Sequence, residues 1–290
     1  MPHVKEAVMA KVFLICACAS IFSLLLICLF LFAGGLPAIF EIGPGAFLLG
    51  RDWAPMDSPP SFGILPMIAG SLYITVGAII LGVPVGIFTS VFLSHMCPKR
   101  AYTFIKPVVN LLAGIPSVVY GFFGMVAIIP VVRGISLAFT GGGTGASILS
   151  ASVLLGIMIL PTVIAISESA IRAIPRDYYE GALALGASHT RSIFFVVVPA
   201  AKSGILASVV LGIGRAVGET MAVVMVAGNQ ARIPISIFRG GRSLTANIVL
   251  EMAYAADLHR EALIATGVVL FVFIFLINII FTWLARREIK

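Results

Sequence analysis

Residues 212–223 read GIGRAVGETMAV and place Arg215 and Glu219, one charge of each sign, four positions apart inside an apolar run. An arginine offers a planar fork of N–H donors that matches the oxygens of an oxyanion, and it stays charged at any relevant pH. A carboxylate beside it would repel a bare anion. It can instead balance the cation when no anion is present, or accept a hydrogen bond from a protonated oxyanion oxygen. The opposing reading is a pair at i, i+4 that only neutralises itself. Its Arg-before-Glu order is the less favourable one on a helix, and two apolar residues would serve a purely structural purpose as well or better. If a helix enters the membrane near Ser203, Arg215 lies about 18 Å along it, near the middle of a ~30 Å hydrocarbon core. An uncompensated Arg there costs roughly 2.5 to 3.5 kcal/mol, so it must face protein or water.

The other chemistry-bearing residues form no comparable pattern. His3, His95, His189 and His259 lie far apart with no HExxH or CxxC spacing, and Cys16, Cys18, Cys28 and Cys97 read as small apolar fillers, so no metal site is expected. No glycine is followed by lysine, which rules out a Walker A loop; if ATP drives this protein, another chain binds it. The GGGTG run at 141–145 reads as a flexible turn. Without a nucleophile and base in a plausible constellation, the chain is not expected to be an enzyme by itself.

The elements that must position the charged pair are membrane helices. Of the 290 residues 60% are hydrophobic and 11% charged, against ~25% charged in soluble domains. Apolar runs at 12–40, 58–98, 107–132, 146–166, 203–228 and 262–285 are each long enough to span. Backbone groups in lipid must be satisfied internally, so the expected class is an all-α integral membrane protein with six transmembrane helices. The first run exceeds the apolar core of a secretory signal and reads as an anchor. With the N-terminus inside, Lys5, Lys11, Lys99, Arg100, Lys106, Arg172, Arg176, Arg191, Lys202, Arg286, Arg287 and Lys290 face the cytoplasm. Arg51, Arg133, Arg232, Arg239, Arg242 and Arg260 lie outside, so the cations favour cytoplasmic N- and C-termini. The net charge of +7 is then mostly a cytoplasmic-face feature, and nucleic acid is not needed to explain it.

Three segments follow: a transmembrane anchor at 1–35, an outside linker at 36–62 rich in Pro and Gly, and a core at 63–290 with a cytoplasmic loop at 167–203. Small residues recur at Ala78, Gly82 and Gly86, and at Gly204, Ser208 and Gly212, with Gly214 and Gly218 following. Such spacing lets helix backbones approach closely. Pro84, Pro116 and Pro161 are expected to bend their helices. In the loop, Pro175 can open a helix with Asp177 and Glu180 near its positive end, Gly186 can end it, and Ser188 can cap a second short helix. A helix, a turn and a helix beneath a membrane bundle suit docking to a partner protein.

This loop resembles the EAA motif of ABC importer permeases: E-A-A, three residues, G, nine residues, then I-x-L-P. Glu180, Gly181 and Ala182 stand for the first three, Gly186 for the glycine, and Val196, Val198 and Pro199 for the end, with every spacing kept. The stretches LLAGIPSVVYGFFG (111–124), LGIMILPT (155–162), GRAVGETMAV (214–223) and LTANIVLEMA (244–253) are similar to the PstC-type permease of the phosphate importer. The resemblance implies type I importer architecture in a bacterial cytoplasmic membrane, with the EAA loop seated on an ATPase. It further implies a second permease of PstA type, two ATPase subunits that use ATP and Mg, a phosphate-binding protein outside, and no cofactor held by this chain. It makes Arg215 and Glu219 candidates for the phosphate pathway. Phosphonate or another oxyanion would suit the same pair. A stand-alone proton-coupled transporter or channel using Glu219 would explain the charges but not the loop.

Overall fold

The computed structural model describes residues 2–287. Lys290, counted above among the inner cations, lies outside them. Helix α1 (Pro2–Ile42) runs through Gly34, Gly35 and Pro37 rather than ending near residue 35. Gly35 explains the persistence of contact there: a Cβ on it would sit 2.9 Å from the Ala265 backbone, so only a bare backbone allows this approach. The expected linker is a folded cap. It holds α2 (Pro44–Leu49) and an antiparallel pair, β1 (Trp53–Ala54) with β2 (Ser61–Phe62). Phe47, Trp53 and Phe62 are buried there against Ile64, Met67 and Leu244, and that apolar burial is what orders a Pro- and Gly-rich stretch.

Helix α3 (Leu65–Val91) continues through a π turn at Phe92–Met96, and α4 (Lys99–Gly114) follows. Pro116 sets the next boundary. The residue before a proline is pushed out of the helical region, and Ile115 is extended at φ −70°, ψ 127°. The third span therefore starts at Ser117, not near 107. It comprises α5 (Ser117–Phe123), a π turn at Gly124–Ile128 and α6 (Ile129–Thr140). Arg133, expected in an outside loop, is an exposed residue on α6.

Helix α7 (Ile148–Arg172) is the axis of the bundle, with Leu154, Leu155, Met158, Ile159 and Val163 fully or almost fully buried. Both small-residue stripes pack against it. On α3, a Cβ at Gly82 would lie 2.6 Å from the Gly156 carbonyl, and one at Gly86 would lie 2.7 Å from Val163. Between α7 and the fifth span, Gly204 faces Ala170, Gly212 faces Val163, and the Ser167 and Ser208 hydroxyls bond at 2.7 Å.

Beyond α7 come α8 (Arg176–Ala184), α9 (His189–Ser192), a π turn at Ile193–Val197, α10 (Val198–Ala200) and α11 (Lys202–Gly218). Residues His189–Ala200 and Lys202–Gly218 meet at 69°. The fifth span, expected as one helix to 228, ends at Gly218; α12 (Met221–Val226) is a separate short helix. Then α13 (Leu244–Glu251) enters the bundle, with Leu244, Ala246 and Asn247 at 0% exposure, and α14 (Asp257–Arg287) packs on α1. Among the described residues five helices are long and apolar enough to span, six if the bent pair counts as one span.

Candidate functional site

Arg215 and Glu219 are separated by a helix end. Arg215 is in the last turn of α11, and Glu219 is the first extended residue after it, at φ −71° and ψ 132°. Two interactions hold Glu219 in that conformation. Its Oε1 accepts from the Ala222 N–H at 3.2 Å, satisfying one of the open donors at the start of α12. Its backbone carbonyl accepts from the Thr245 hydroxyl of α13 at 3.0 Å. No ion pair joins Glu219 to Arg215 among the described residues, which removes the self-neutralising reading as a description of this state.

The Arg215 Nη1 donates to the Thr162 hydroxyl of α7 at 3.3 Å. It makes no other hydrogen bond to the described residues. One long bond to a neutral hydroxyl leaves four of the five guanidinium N–H groups unmatched, while the side chain is only partly exposed. A Cβ on Gly214 or Gly218 would meet nothing within 4 Å, so the face of α11 around Arg215 adjoins open space. A cation with unmatched donors at an open face inside an apolar helix can hold an anion at little reorganisation.

The loop folds as its turn residues dictate. Pro175 precedes the first residue of α8, Asp177 stands in the first turn, and Gly186 adopts φ +87°. That left-handed conformation is the one glycine takes without penalty. It lets the Ala187 N–H reach the Ala182 carbonyl at 3.1 Å and close the helix. The Ser188 hydroxyl accepts from the Arg191 N–H at 3.4 Å, capping α9. Glu180, Gly181 and Gly186 are exposed, Ala182 is partly so, and Leu185 is 91% exposed. Tyr179 anchors the knob through a hydrogen bond between its hydroxyl and His189 Nδ1 and by packing beside Val91, Ile171 and Ile193. Pro199 lies in α10, at the 69° bend. A cavity of about 410 Å³ lies between the knob and the bundle, lined by His95, Arg172, Arg176, Tyr179, Glu180 and His189.

Residues 82–290, which hold the knob, its bend and the broken fifth span, match the family described as binding-protein-dependent transport system inner membrane component. The chain belongs to this family. As an inner membrane component it is a multi-pass membrane protein, and its relatives are transporter permeases rather than enzymes. It is 37% identical over 277 residues to the probable ABC transporter permease protein YqgH of Bacillus subtilis, covering 94% of this chain and 88% of that one. It is 34% identical to the phosphate transport system permease protein PstC of Mesorhizobium japonicum, covering 89% and 83% of the two chains. The PstC of Haemophilus influenzae is 32% identical, covering 79% and 76%. Among solved structures, the inward-facing MetNI methionine ABC transporter superimposes with a TM-score of 0.60 at 20% identity, over 78% of this chain and 95% of that one. The fold is that of the type I ABC importer permeases.

Sequence reasoning missed two buried carboxylates of this inner membrane component. Glu168, at 2% exposure, accepts from Lys106 Nζ at 2.6 Å, the Tyr102 hydroxyl at 2.9 Å and Arg172 Nε at 2.9 Å. The hydrogen bond to that carboxylate, aided by burial, raises the Tyr102 phenol above its ordinary range. Arg172 also donates to the Leu93 carbonyl at 2.8 Å, so this cluster ties α4, α7 and the end of the second span together. The i, i+4 spacing of Glu168 and Arg172 was a readable signal. Glu251, at 6% exposure, takes donors from Arg242, from Trp53 Nε1 at 2.8 Å and from His259 Nε2 at 3.0 Å. Arg242 was expected in an outside loop. Glu251 is the last residue of α13, and Arg242 reaches it where 227–243 folds back and Gly228 pairs with Gly241.

Proposed function

We propose that this chain is one of two permease subunits of an ATP-driven importer that moves inorganic phosphate across the cytoplasmic membrane, with Arg215 and Glu219 on the pathway. The observation that carries the site is Arg215, a guanidinium in the last turn of α11 with unmatched donors beside open space and no bond to Glu219. Phosphate as the cargo is supported by the PstC relatives. Glu219 Oε2 has no partner among the described residues and can accept from a protonated phosphate oxygen.

The exposed knob formed by Glu180, Gly181, Ala182 and Gly186, with Pro199 at the bend behind it, is the surface on which an ATPase would seat. A second permease of PstA type, two ATPases holding ATP and Mg, and an external phosphate-binding protein complete the assembly in this reading, with both termini of the present chain cytoplasmic. Closure of the ATPases would move the knob and turn the pathway outward, an exchange between two states of which the substrate-loaded binding protein favours one. Uptake of labelled phosphate, phosphonate and sulfate by the reconstituted complex tests the proposal. ATP-dependent accumulation of phosphate is expected. Accumulation without an ATPase partner, or of another oxyanion in preference, would overturn it.

A further inference from the structure

Thr162 follows Pro161 in α7 and is partly exposed toward α11. Several other hydroxyls in these helices bond back into their own turn. Thr103 donates back to the Lys99 carbonyl at 2.9 Å, Thr266 to the Ala262 carbonyl at 2.9 Å, and Ser208 to the Ile205 carbonyl at 2.7 Å. Such back-bonding consumes the hydroxyl hydrogen inside its own helix. The Thr162 oxygen instead accepts from Arg215, and its hydrogen has no acceptor among the described residues. Accepting from a guanidinium also polarises the O–H and makes it a better donor.

We propose that Thr162 is a specificity-determining residue of the pathway: its hydroxyl accepts from Arg215 and donates to an unprotonated oxygen of a tetrahedral oxyanion held by the guanidinium. This rests on the reading of Arg215 given above. The two donors come from different helices, so the bound anion bridges α7 and α11. Their separation is set close by, where Gly212 meets Val163, the neighbour of Thr162, and where Ser167 meets Ser208. Thr162 requires a bare oxygen on the ligand and Glu219 a protonated one. Hydrogen phosphate presents both at neutral pH, whereas sulfate presents only bare oxygens.

The test uses the complete reconstituted complex and measures initial phosphate uptake together with phosphate moved per ATP hydrolysed. Thr162→Val keeps the shape and removes the hydroxyl; Thr162→Ser keeps the hydroxyl. Loss of a hydrogen bond to a charged group predicts a fall in uptake of about tenfold or more for Thr162→Val, with a lower transport-to-hydrolysis ratio, while Thr162→Ser stays within about twofold of the parent. Parental uptake by Thr162→Val while Arg215→Met fails would overturn the role of Thr162 and leave Arg215 in place. Parental uptake by Arg215→Met would overturn the pathway reading and Thr162 with it. Equal losses in both Thr162 variants at an unchanged ratio would mark a packing role instead and also overturn the proposal. Should Thr162→Val fail to assemble, Thr162→Ala, which adds no bulk, takes its place with the same expectation and the same reversal.

Discussion

Lys106 Nζ lies 2.6 Å from Glu168 Oε2, joining α4 to α7 through a carboxylate with a side chain 3% exposed. The partners are 62 residues apart, and Arg172 and Tyr102 complete the same carboxylate. Removing one member of a buried ion network strands the others, which is why such changes cost far more than the network's net worth.

Glu168→Gln is therefore expected to destabilise the protein by about 1 to 3 kcal/mol, because the stranded Lys106 and Arg172 can still reach water. The exposed Glu180→Gln should stay within about 0.5 kcal/mol. Thermal unfolding of the detergent-solubilised complex measures both. Equal midpoints for the two variants would mean that Lys106 and Arg172 find other partners.

Arg215 and Glu219 share no bond in this state, so their contributions to stability should add. Single changes to Met and the double change Arg215→Met with Glu219→Met form a cycle in which the coupling energy is expected to stay within about 0.5 kcal/mol. The double variant should assemble and retain ATP hydrolysis but not move phosphate. Parental transport by it would make the pair structural. Arg215→Lys keeps the charge without the fork and is expected to transport weakly.

Gly186 is constrained by backbone shape rather than space, since φ is +87° and a Cβ there would meet nothing within 4 Å. Asn, which tolerates the left-handed region, should be accepted better than Val, which is β-branched. Uptake and co-purification of the ATPase are expected to fall in the order Gly, Asn, Val, while membrane insertion stays unchanged. Equal function for Asn and Val would separate the turn from coupling.

Cysteine labelling decides orientation. In a background without Cys16, Cys18, Cys28 and Cys97, Gly142→Cys should react with an impermeant reagent added outside, and Ser188→Cys should not. The reverse pattern would invert the orientation.

The loop was the most legible part of the site because its signals are local. A proline before α8, a glycine at the one left-handed position and a serine at the start of α9 each act within a turn of their own position. The fifth span was harder to read. Gly218 stands at the break, but Gly212 and Gly214 stand inside the same helix, so a glycine alone did not mark its end; the break is held by Thr245, 26 residues away, bonding the Glu219 carbonyl.

By itself the sequence determined the membrane class, the approximate placing of the apolar runs, the helix-turn-helix at 176–192 and the identity of the two charges that lipid cannot accept. These follow from hydropathy and from backbone preferences, which are properties of a residue and its near neighbours. Only the tertiary structure decided what those charges touch. Arg215 turns to Thr162, 53 residues away, Glu219 caps α12, and Glu251 takes its indole donor from Trp53, 198 residues away. A buried polar group must find its partner wherever packing brings one, and the packing here depends on glycine and serine contacts between α3, α7 and α11 that no single segment encodes.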